Sequence, residues 1–346
     1  MGSMYLDHNA TSPMPKAVRD AVVDAMDRFW ANPSSPHRLG QAASVQVEQA
    51  RRVIAERAGV AAKTVHFTSG ATEGNAWVLA GQSLPVIASA VEHPAVLAWA
   101  NETIGVDTGG VIDTEALDRR LAEGPAVVSV MAANNETGVI QPIEEVAQIC
   151  KARGALLHCD ATQWFGRFTG PLFGDWVTVS AHKFGGPRGV GAMISGLPPA
   201  ALLQGGKQER GHRAGTLNVP GIIGFGAAIS TTQQWDATRG ERDLLEQYCL
   251  KVGGKTIGST DSRLPNTASI LFDVPGDLIV PALDLQGVQA STGSACSSGA
   301  NQASHVLEAM GIDGTPVRFS FGPDSKAQPA IEALEAVLGL LEASCE

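Results

Sequence analysis

The sequence lacks any segment that would place the chain in a membrane or direct it out of the cell. Its apolar runs are much shorter than the roughly 20 residues that a transmembrane helix needs. No basic start followed by an apolar stretch, the pattern of a secretory signal peptide, is present. We therefore expect a cytoplasmic protein without membrane contacts.

Blocks of basic residues are also missing. The chain has 25 Lys and Arg against 35 Asp and Glu, which gives a net charge of -10. Because nucleic acids attract proteins mainly through phosphate charge, direct DNA binding is not expected. The remaining composition, 44% hydrophobic and 17% charged, is typical of a globular protein. A length of 346 residues favours one large domain and a smaller one.

Cysteine is scarce and follows no pattern of a structural site. The five copies, Cys150, Cys159, Cys249, Cys296 and Cys345, are odd in number and fit neither a disulfide framework nor a CxxC metal site. We expect no metal centre, and free thiols in a reducing compartment. Cys150 and Cys159 lie in apolar patterns and are predicted to be core residues.

Helical and strand patterns alternate between residues 12 and 228. Apolar residues recur at helical spacing in 17–29 and 47–58, and short apolar runs follow, as in 127–131 and 190–194. Strands separated by helices predict an α/β domain whose mostly parallel sheet is covered on both faces. Residues 229–346 change to an α+β pattern. We predict that they form a smaller domain, together with residues 1–11.

Polar residues cluster where the apolar runs of the first region end. The segments are 68–73, 92–94, 134–136, 160–163 and 180–183. Because the carboxyl ends of parallel strands meet at one edge of a sheet, we expect these segments to lie together at a ligand site.

Each of these segments allows a chemical or a structural interpretation. The turn 69–72 opens a helix whose N–H groups could bind phosphate, or it is a simple cap. Lys183 could form a Schiff base in a desolvated pocket, or lie at the surface. Asp160 could be a buried counter-ion or a helix cap, and His93 could transfer protons or only pack.

Two further residues lie in the second region. Cys296 belongs to a Gly- and Ser-rich stretch, 291–299, which predicts a mobile loop with an exposed thiol that reacts once ionised; the alternative is an accidental surface cysteine. Arg318 stands in an apolar strand and must be paired, either with a ligand carboxylate or with an internal Asp or Glu.

Together these motifs resemble the group I (NifS/IscS-like) cysteine desulfurases, which are fold-type-I pyridoxal 5'-phosphate (PLP) enzymes of the class V aminotransferase family. The ordered set covers almost the whole chain. It comprises YLDHNAT (5–11), NPSS (32–35), FTSGATE (67–73), EH (92–93), NNETG (134–138), DATQ (160–163), SAHK (180–183), RAGT (213–216), GSAC (293–296) and RFS (318–320). The resemblance implies an aspartate-aminotransferase-like large domain and a small domain that carries the Cys296 loop.

The resemblance also implies roles in cofactor binding. Lys183 would hold PLP covalently and move the Cα proton, Asp160 would pair with the pyridine nitrogen, and His93 would stack on the ring and transfer protons. The other implied ligands are Ala71, Thr72, Ser180 and His182 for the phosphate, and Asn135 and Gln163 for the phenolic oxygen.

The same resemblance implies a substrate and a partner subunit. Arg318, with Asn32 and Asn135, would bind the carboxylate of L-cysteine. Cys296 would take the sulfur as a persulfide while L-alanine leaves. Thr216 would reach the phosphate of the neighbouring subunit in a homodimer.

The implied activity is a cysteine desulfurase that passes sulfur to a protein acceptor, in iron–sulfur cluster assembly or in a thio-cofactor or tRNA pathway. Two alternatives remain. One is another class V enzyme, a selenocysteine lyase or a small-substrate aminotransferase, against which Cys296 argues. The other is a non-catalytic subunit with the same fold, against which the presence of Lys183, Asp160 and His93 argues.

Overall fold

The computed structural model describes residues 3–231, 234–293 and 304–343, so that Cys296 and Cys345 lie outside the described residues. The strands of the described chain are β1 (Met4–Tyr5), β2 (Val65–Thr68), β3 (Val86–Ser89), β4 (Glu102–Ile104), β5 (Val127–Ser129), β6 (Leu156–Asp160), β7 (Trp176–Ser180), β8 (Gly191–Ile194), β9 (Lys255–Thr256), β10 (Thr267–Leu271), β11 (Val288–Gln289) and β12 (Val317–Ser320). Its α-helices are α1 (Lys16–Arg28), α2 (Arg38–Ala58), α3 (Ala71–Leu79), α4 (Pro94–Leu97), α5 (Thr114–Leu121), α6 (Ile143–Arg153), α7 (Val219–Ser230), α8 (Thr238–Lys251), α9 (Gly276–Leu285), α10 (His305–Ala309) and α11 (Gln328–Ala343).

Strands β2 to β8 form one mixed sheet in the order β2-β8-β7-β6-β5-β3-β4. The neighbours from β7 to β4 are parallel, and β8 is antiparallel to both β7 and β2. Strand β2 therefore runs in the same direction as β7, and all strands of this sheet except β8 end at one edge. The predicted α/β fold with a mostly parallel sheet is confirmed.

The apolar runs become the central strands of this sheet. Every residue of β2, β3, β5, β7 and β8 is buried, as expected where helices cover both faces. Cys150 on α6 and Cys159 on β6 are buried thiols, which confirms their assignment to the core. Burial raises the pKa of Cys150 to about 12, so this thiol is not reactive at neutral pH.

Helix ends follow local sequence signals. Helix α2 begins after His37, whose side chain accepts a hydrogen bond from the Gly40 N–H, and it ends at Gly59 in the left-handed conformation with φ of 68°. No helix of the described residues has the length and apolar character needed to cross a bilayer.

A second hydrophobic cluster lies in the C-terminal region. Its buried members are Leu6 and residues between 245 and 338. Around it, β10 pairs in antiparallel fashion with β9 and β12, and β1 pairs in parallel with β11. The N-terminal strand thus packs with the C-terminal region. Trp235 and Leu264, although they follow residue 228, belong to the larger cluster.

Candidate active site

A cavity of about 750 Å³ opens at the edge where the parallel strands end. Residues from all five polar segments line it, because each segment follows a strand that ends there. Residues 9–11 near the N-terminus, together with Gly293 and Arg318 from the C-terminal region, complete the wall. The cavity therefore lies where the two parts of the chain meet.

Most residues that the sequence singles out line this cavity. They are Ala71, Thr72, His93, Asn135, Asp160, Gln163, Ser180, His182, Lys183 and Arg318. Asn32 and Thr216 are exposed and do not line it. Asn32 lies instead in a shallow surface pocket beside Trp30 and Leu39, so this chain alone does not place it near a bound substrate. Cys296 is outside the described residues.

Lys183 lies in a short turn directly after β7. Its Nζ donates hydrogen bonds to the carbonyl oxygens of Asn9 (2.7 Å) and Ala10 (3.0 Å). These two carbonyls hold the amine at the cavity wall. The surface alternative is therefore wrong, since Lys183 lines the cavity and is only partly exposed.

Asp160 ends β6 and is 6% exposed. Its Oδ1 accepts from the Thr162 N–H (3.0 Å) and its Oδ2 accepts from Asn75 Nδ2 (2.8 Å). A turn, not a helix, follows it, so the helix-cap alternative is wrong. Each oxygen of this buried carboxylate therefore has a hydrogen-bond donor.

A chain of buried polar groups runs behind Asp160. The Thr178 hydroxyl donates to Asn75 Oδ1, and its oxygen lies 3.2 Å from His158 Nε2. Since Thr178 uses its only proton on Asn75, His158 Nε2 must be the donor, and its Nδ1 accepts from the Ser129 hydroxyl. Burial lowers the pKa of His158 to about 4, so the ring is neutral. In this series of hydrogen bonds each group therefore donates to the next one, and the last donor, Asn75, donates to Asp160.

His93 is the N-cap of α4, and its Nδ1 accepts from the Ala95 N–H (3.1 Å). The neutral ring therefore carries its proton on Nε2, the only ring nitrogen left for the cavity. Burial lowers the pKa of His93 and the nearby Lys183 lowers it further, against the opposing charge of Asp160. The preceding residue, Glu92, is fully buried, and burial raises its pKa well above the usual range.

The start of α3 offers free donors to the cavity. Gly70 is its N-cap, and no side chain caps the helix. The N–H groups of the first turn thus resemble those that bind phosphate at helix starts. His182 faces the same region and donates or accepts at Nδ1 with the Thr11 hydroxyl (3.1 Å). Burial, followed by the charge of Lys183, lowers its pKa to about 4.

Arg318 has an internal partner. Its guanidinium is 1% exposed and forms an ion pair with Asp7 (2.6 Å). It also donates to the carbonyl oxygens of Gly293 (2.7 Å) and Asn135 (3.0 Å). Of the two alternatives left open by the sequence, the structure shows the internal acid, while the side chain still lines the cavity.

Sequence reasoning missed Arg167. This side chain is 4% exposed and donates to the carbonyl oxygen of Lys183, Asn9 Oδ1 and Gln163 Oε1. It also lies 4.7 Å from the ring centre of Trp235. Burial lowers its pKa to about 9, with Arg318 as the second cause. A cation within the apolar stretch 164–168 is the signal that could have revealed it, as it did for Arg318.

The residues present fit PLP. The cavity combines an amine, a buried carboxylate, an imidazole and an uncapped helix start, which are the groups that this cofactor requires. Two cavity residues also have a buried polar atom that could bind a ligand: Thr162 Oγ1 and Arg318 Nε make no hydrogen bond within the described part of the chain. Gln163 donates to the Asn9 carbonyl oxygen (3.0 Å) and keeps a second amide hydrogen.

Comparison with known proteins agrees with this geometry. The family model "Aminotransferase class-V" matches residues 4–334. The chain belongs to the cysteine desulfurase group of the class V aminotransferase family. It is 38% identical to a cysteine desulfurase of Cereibacter sphaeroides, over 97% of this chain and 95% of that protein.

Two further class V relatives extend this likeness. The protein named cysteine desulfurase IscS 1 of Archaeoglobus fulgidus is 38% identical, over 89% of this chain and 88% of its own length. A solved NifS-like protein has a TM-score of 0.89 and 32% identity, over 98% of this chain and 99% of the other. Class V enzymes of this group depend on PLP, and so does this chain.

Proposed function

We propose that this enzyme removes sulfur from L-cysteine, holds it as a persulfide on Cys296 and releases L-alanine. The observation that carries the proposal is the meeting of Lys183, Asp160 and His93 in one cavity, in a chain similar over its length to cysteine desulfurases. When bound, PLP supplies an electron sink for charge that develops on the substrate Cα.

Three residues of the cavity have separate roles in cofactor binding and proton transfer. Lys183, oriented by the carbonyls of Asn9 and Ala10, binds the cofactor and moves the Cα proton. Asp160 would pair with the pyridine nitrogen, and its carboxylate is oriented for this by hydrogen bonds from Asn75 and Thr162. His93 would stack on the cofactor ring and would offer Nε2 for proton transfer, because its Nδ1 accepts from the Ala95 N–H.

The remaining cavity residues bind the polar ends of cofactor and substrate. The phosphate is held by Ala71 and Thr72 at the start of α3, with Ser180 and His182. Asn135 and Gln163 bind the phenolic oxygen. Arg318 binds the substrate carboxylate through donors such as Nε, which has no partner within the described residues. Asn135, and Asn32 on the protein surface, are the other proposed substrate ligands.

Sulfur transfer requires a thiolate close to the substrate. Gly293 and Ser304, which flank residues 294–303, both line the cavity, and this supports access for Cys296. The Cys296 thiolate attacks the substrate sulfur, and an S–S bond replaces the C–S bond. The substrate carbon retains the electron pair of that bond and takes up a proton. L-cysteine and one thiol thus give L-alanine and a persulfide, without an external oxidant.

The test is Cys296→Ser with PLP bound, measured by L-alanine release and by persulfide labelling. We expect the PLP absorbance to remain, alanine release to fall by about 100-fold or more, and the label to disappear. Cys345→Ser is the matched single-thiol control and should behave as wild type. If Cys296→Ser turns over L-cysteine normally, the thiol mechanism is wrong, and selenocysteine or an amino-group acceptor becomes the substrate to test.

We also propose that the protein acts as a homodimer with composite sites, in which Thr216 reaches the phosphate of the partner subunit. The exposure of Thr216 and its position outside its own cavity support this. Mixing inactive Lys183→Ala with weakened Thr216→Val subunits should create one normal site in each heterodimer. A random mixture should therefore regain about a quarter of wild-type activity. No recovery after confirmed subunit exchange would contradict a composite site.

The persulfide is proposed to pass to a protein acceptor in the cytoplasm, in iron–sulfur cluster assembly or in a thio-cofactor or tRNA pathway. Unpaired thiols at Cys150, Cys159 and Cys249 support a reducing compartment.

We also propose residues 12–228 as the large domain and residues 229–346 with 1–11 as the small one. This division is supported by the second hydrophobic cluster, which contains Leu6 and buried residues between 245 and 338.

A further inference from the structure

An acidic residue stands at the helix start that is proposed to bind phosphate. Glu73 is the third residue of α3 and lines the cavity. Its Oε2 accepts from the Ser69 N–H (2.8 Å), so the carboxylate closes the turn formed by residues 69–72. This bond fixes the turn, whose four residues all line the cavity.

The negative charge of Glu73 opposes the binding of a phosphate group at that turn. Burial raises the pKa of Glu73, but hydrogen bonds from Arg213 and Ser69 outweigh burial and lower it. The carboxylate is therefore ionised at neutral pH, and its side chain is only 14% exposed. A partly buried anion would repel a phosphate dianion at close range unless a cation compensates it.

Arg213 is that cation. Its Nε and Nη2 donate to the two carboxylate oxygens of Glu73 at 2.8 and 3.0 Å, a bidentate pair. Arg213 does not line the cavity itself. It belongs to the loop that also carries Thr216, and it contacts Glu73 without entering the cavity.

This loop is held firmly against the sheet. Glu209 and Arg210 adopt left-handed conformations with φ of 44° and 58°, which non-glycine residues keep only when their surroundings enforce them. Glu209 makes a buried bidentate pair with Arg51 (2.7 and 2.8 Å) and accepts from the Phe67 N–H (2.8 Å). Phe67 lies on β2, the strand that leads into the phosphate turn. Loop and turn are thus fixed to the same strand.

We propose that Arg213 is a positioning residue for the cofactor phosphate: it neutralises Glu73, so that this carboxylate can shape the turn without repelling the phosphate dianion. The inference rests on the proposed binding of PLP in this cavity. The two residues then have different roles. Glu73 fixes the shape of the turn, and Arg213 offsets the repulsion between the Glu73 carboxylate and the phosphate.

The test measures the Kd of PLP, and of pyridoxal without phosphate, for PLP-free protein. Arg213→Gln should weaken PLP by about tenfold or more and leave pyridoxal within about twofold. Glu73→Gln should bind PLP at least as well as wild type, because the amide oxygen still accepts from Ser69. The double variant should return to within about threefold of Glu73→Gln, a rescue that a purely structural ion pair would not give.

Several outcomes would overturn this role. They are equal weakening of both ligands by Arg213→Gln, a double variant as weak as Arg213→Gln, or tenfold weaker PLP binding by Glu73→Gln. Because Glu73→Gln keeps the hydrogen bond from the Ser69 N–H, it tests the idea even if Arg213→Gln does not fold. Arg213→Lys should retain most of the PLP affinity. Wild-type protein that binds no PLP would instead contradict the proposed function.

Discussion

At the scale of single residues, Arg167 illustrates how a side chain outside the motifs organises the site. Its guanidinium joins the carbonyl oxygens of Lys183 and His8 with the side chains of Asn9 and Gln163. Three segments distant in the sequence are thereby fixed around one buried cation. Removing it would take one donor from each of these four acceptors. The Lys183 carbonyl would keep Ser12 Oγ as a donor and Asn9 Oδ1 would keep Asn266 Nδ2, whereas the other two would lose their main donor.

We therefore predict that Arg167→Met lowers the free energy of unfolding by about 3 kcal/mol or more. Urea denaturation of the PLP-free protein measures this change. Arg52→Met is the matched control, because Arg52 is exposed, and we expect it to stay within about 0.5 kcal/mol of wild type. Equal stability of the two variants would show that the Arg167 contacts contribute little.

At the scale of elements, the junction between β7, β8 and the phosphate turn requires a residue without a side chain. A Cβ at Gly191, the first residue of β8, would lie 2.8 Å from the Gly70 Cα and still closer to the Val179 carbonyl oxygen. Both neighbours are backbone atoms of packed segments, so neither can move at low cost. Gly191 thus allows the sheet edge and the start of α3 to approach each other.

We predict that Gly191→Ala destabilises the protein by about 2–4 kcal/mol and also weakens PLP binding, since the phosphate turn must shift. Urea unfolding and PLP titration measure the two effects. Gly196→Ala, where a Cβ has no atom within 4 Å, should change stability by less than about 0.5 kcal/mol. A normal PLP Kd for Gly191→Ala would show that turn and strand are not coupled.

At the scale of the whole molecule, buried neutral histidines determine the response to acid. Burial lowers the pKa of His66, His158 and His182 to about 4, and that of His8 to about 3. Between pH 6.5 and 4 the unfolded chain binds protons at these rings and the folded protein does not. The folded state is therefore favoured at neutral pH and loses stability as the pH falls through this range.

We predict that the free energy of unfolding decreases from pH 7 to pH 5, by up to about 1.4 kcal/mol per pH unit for each histidine. Glu92 acts in the opposite direction, because burial raises its pKa and the folded state holds its proton. It is one group against these four histidines and His93, whose pKa burial also lowers. Urea unfolding at several pH values measures the slope, and His158→Gln should reduce it. A flat or rising curve toward pH 5 would contradict neutral burial of these rings.

Local sequence patterns were sufficient to predict the sheet and the position of the polar segments at one of its edges. Alternating patterns predict strand and helix locally, and parallel strands must end at one edge. The positions of Lys183, Asp160 and His93 at the cavity follow from that rule, whatever the details of packing. The buried positions of Cys150 and Cys159 follow from the same local patterns.

The pairing of buried charges could be read only from the folded structure. Arg318 pairs with Asp7 and Arg51 with Glu209, partners that lie far apart in the sequence and become neighbours only when the chain folds. The left-handed conformations of Glu209 and Arg210 have no local signal, because non-glycine residues avoid them unless distant contacts enforce them. Periodicity carries information about nearby residues, whereas the pairing of buried charges depends on contacts through space.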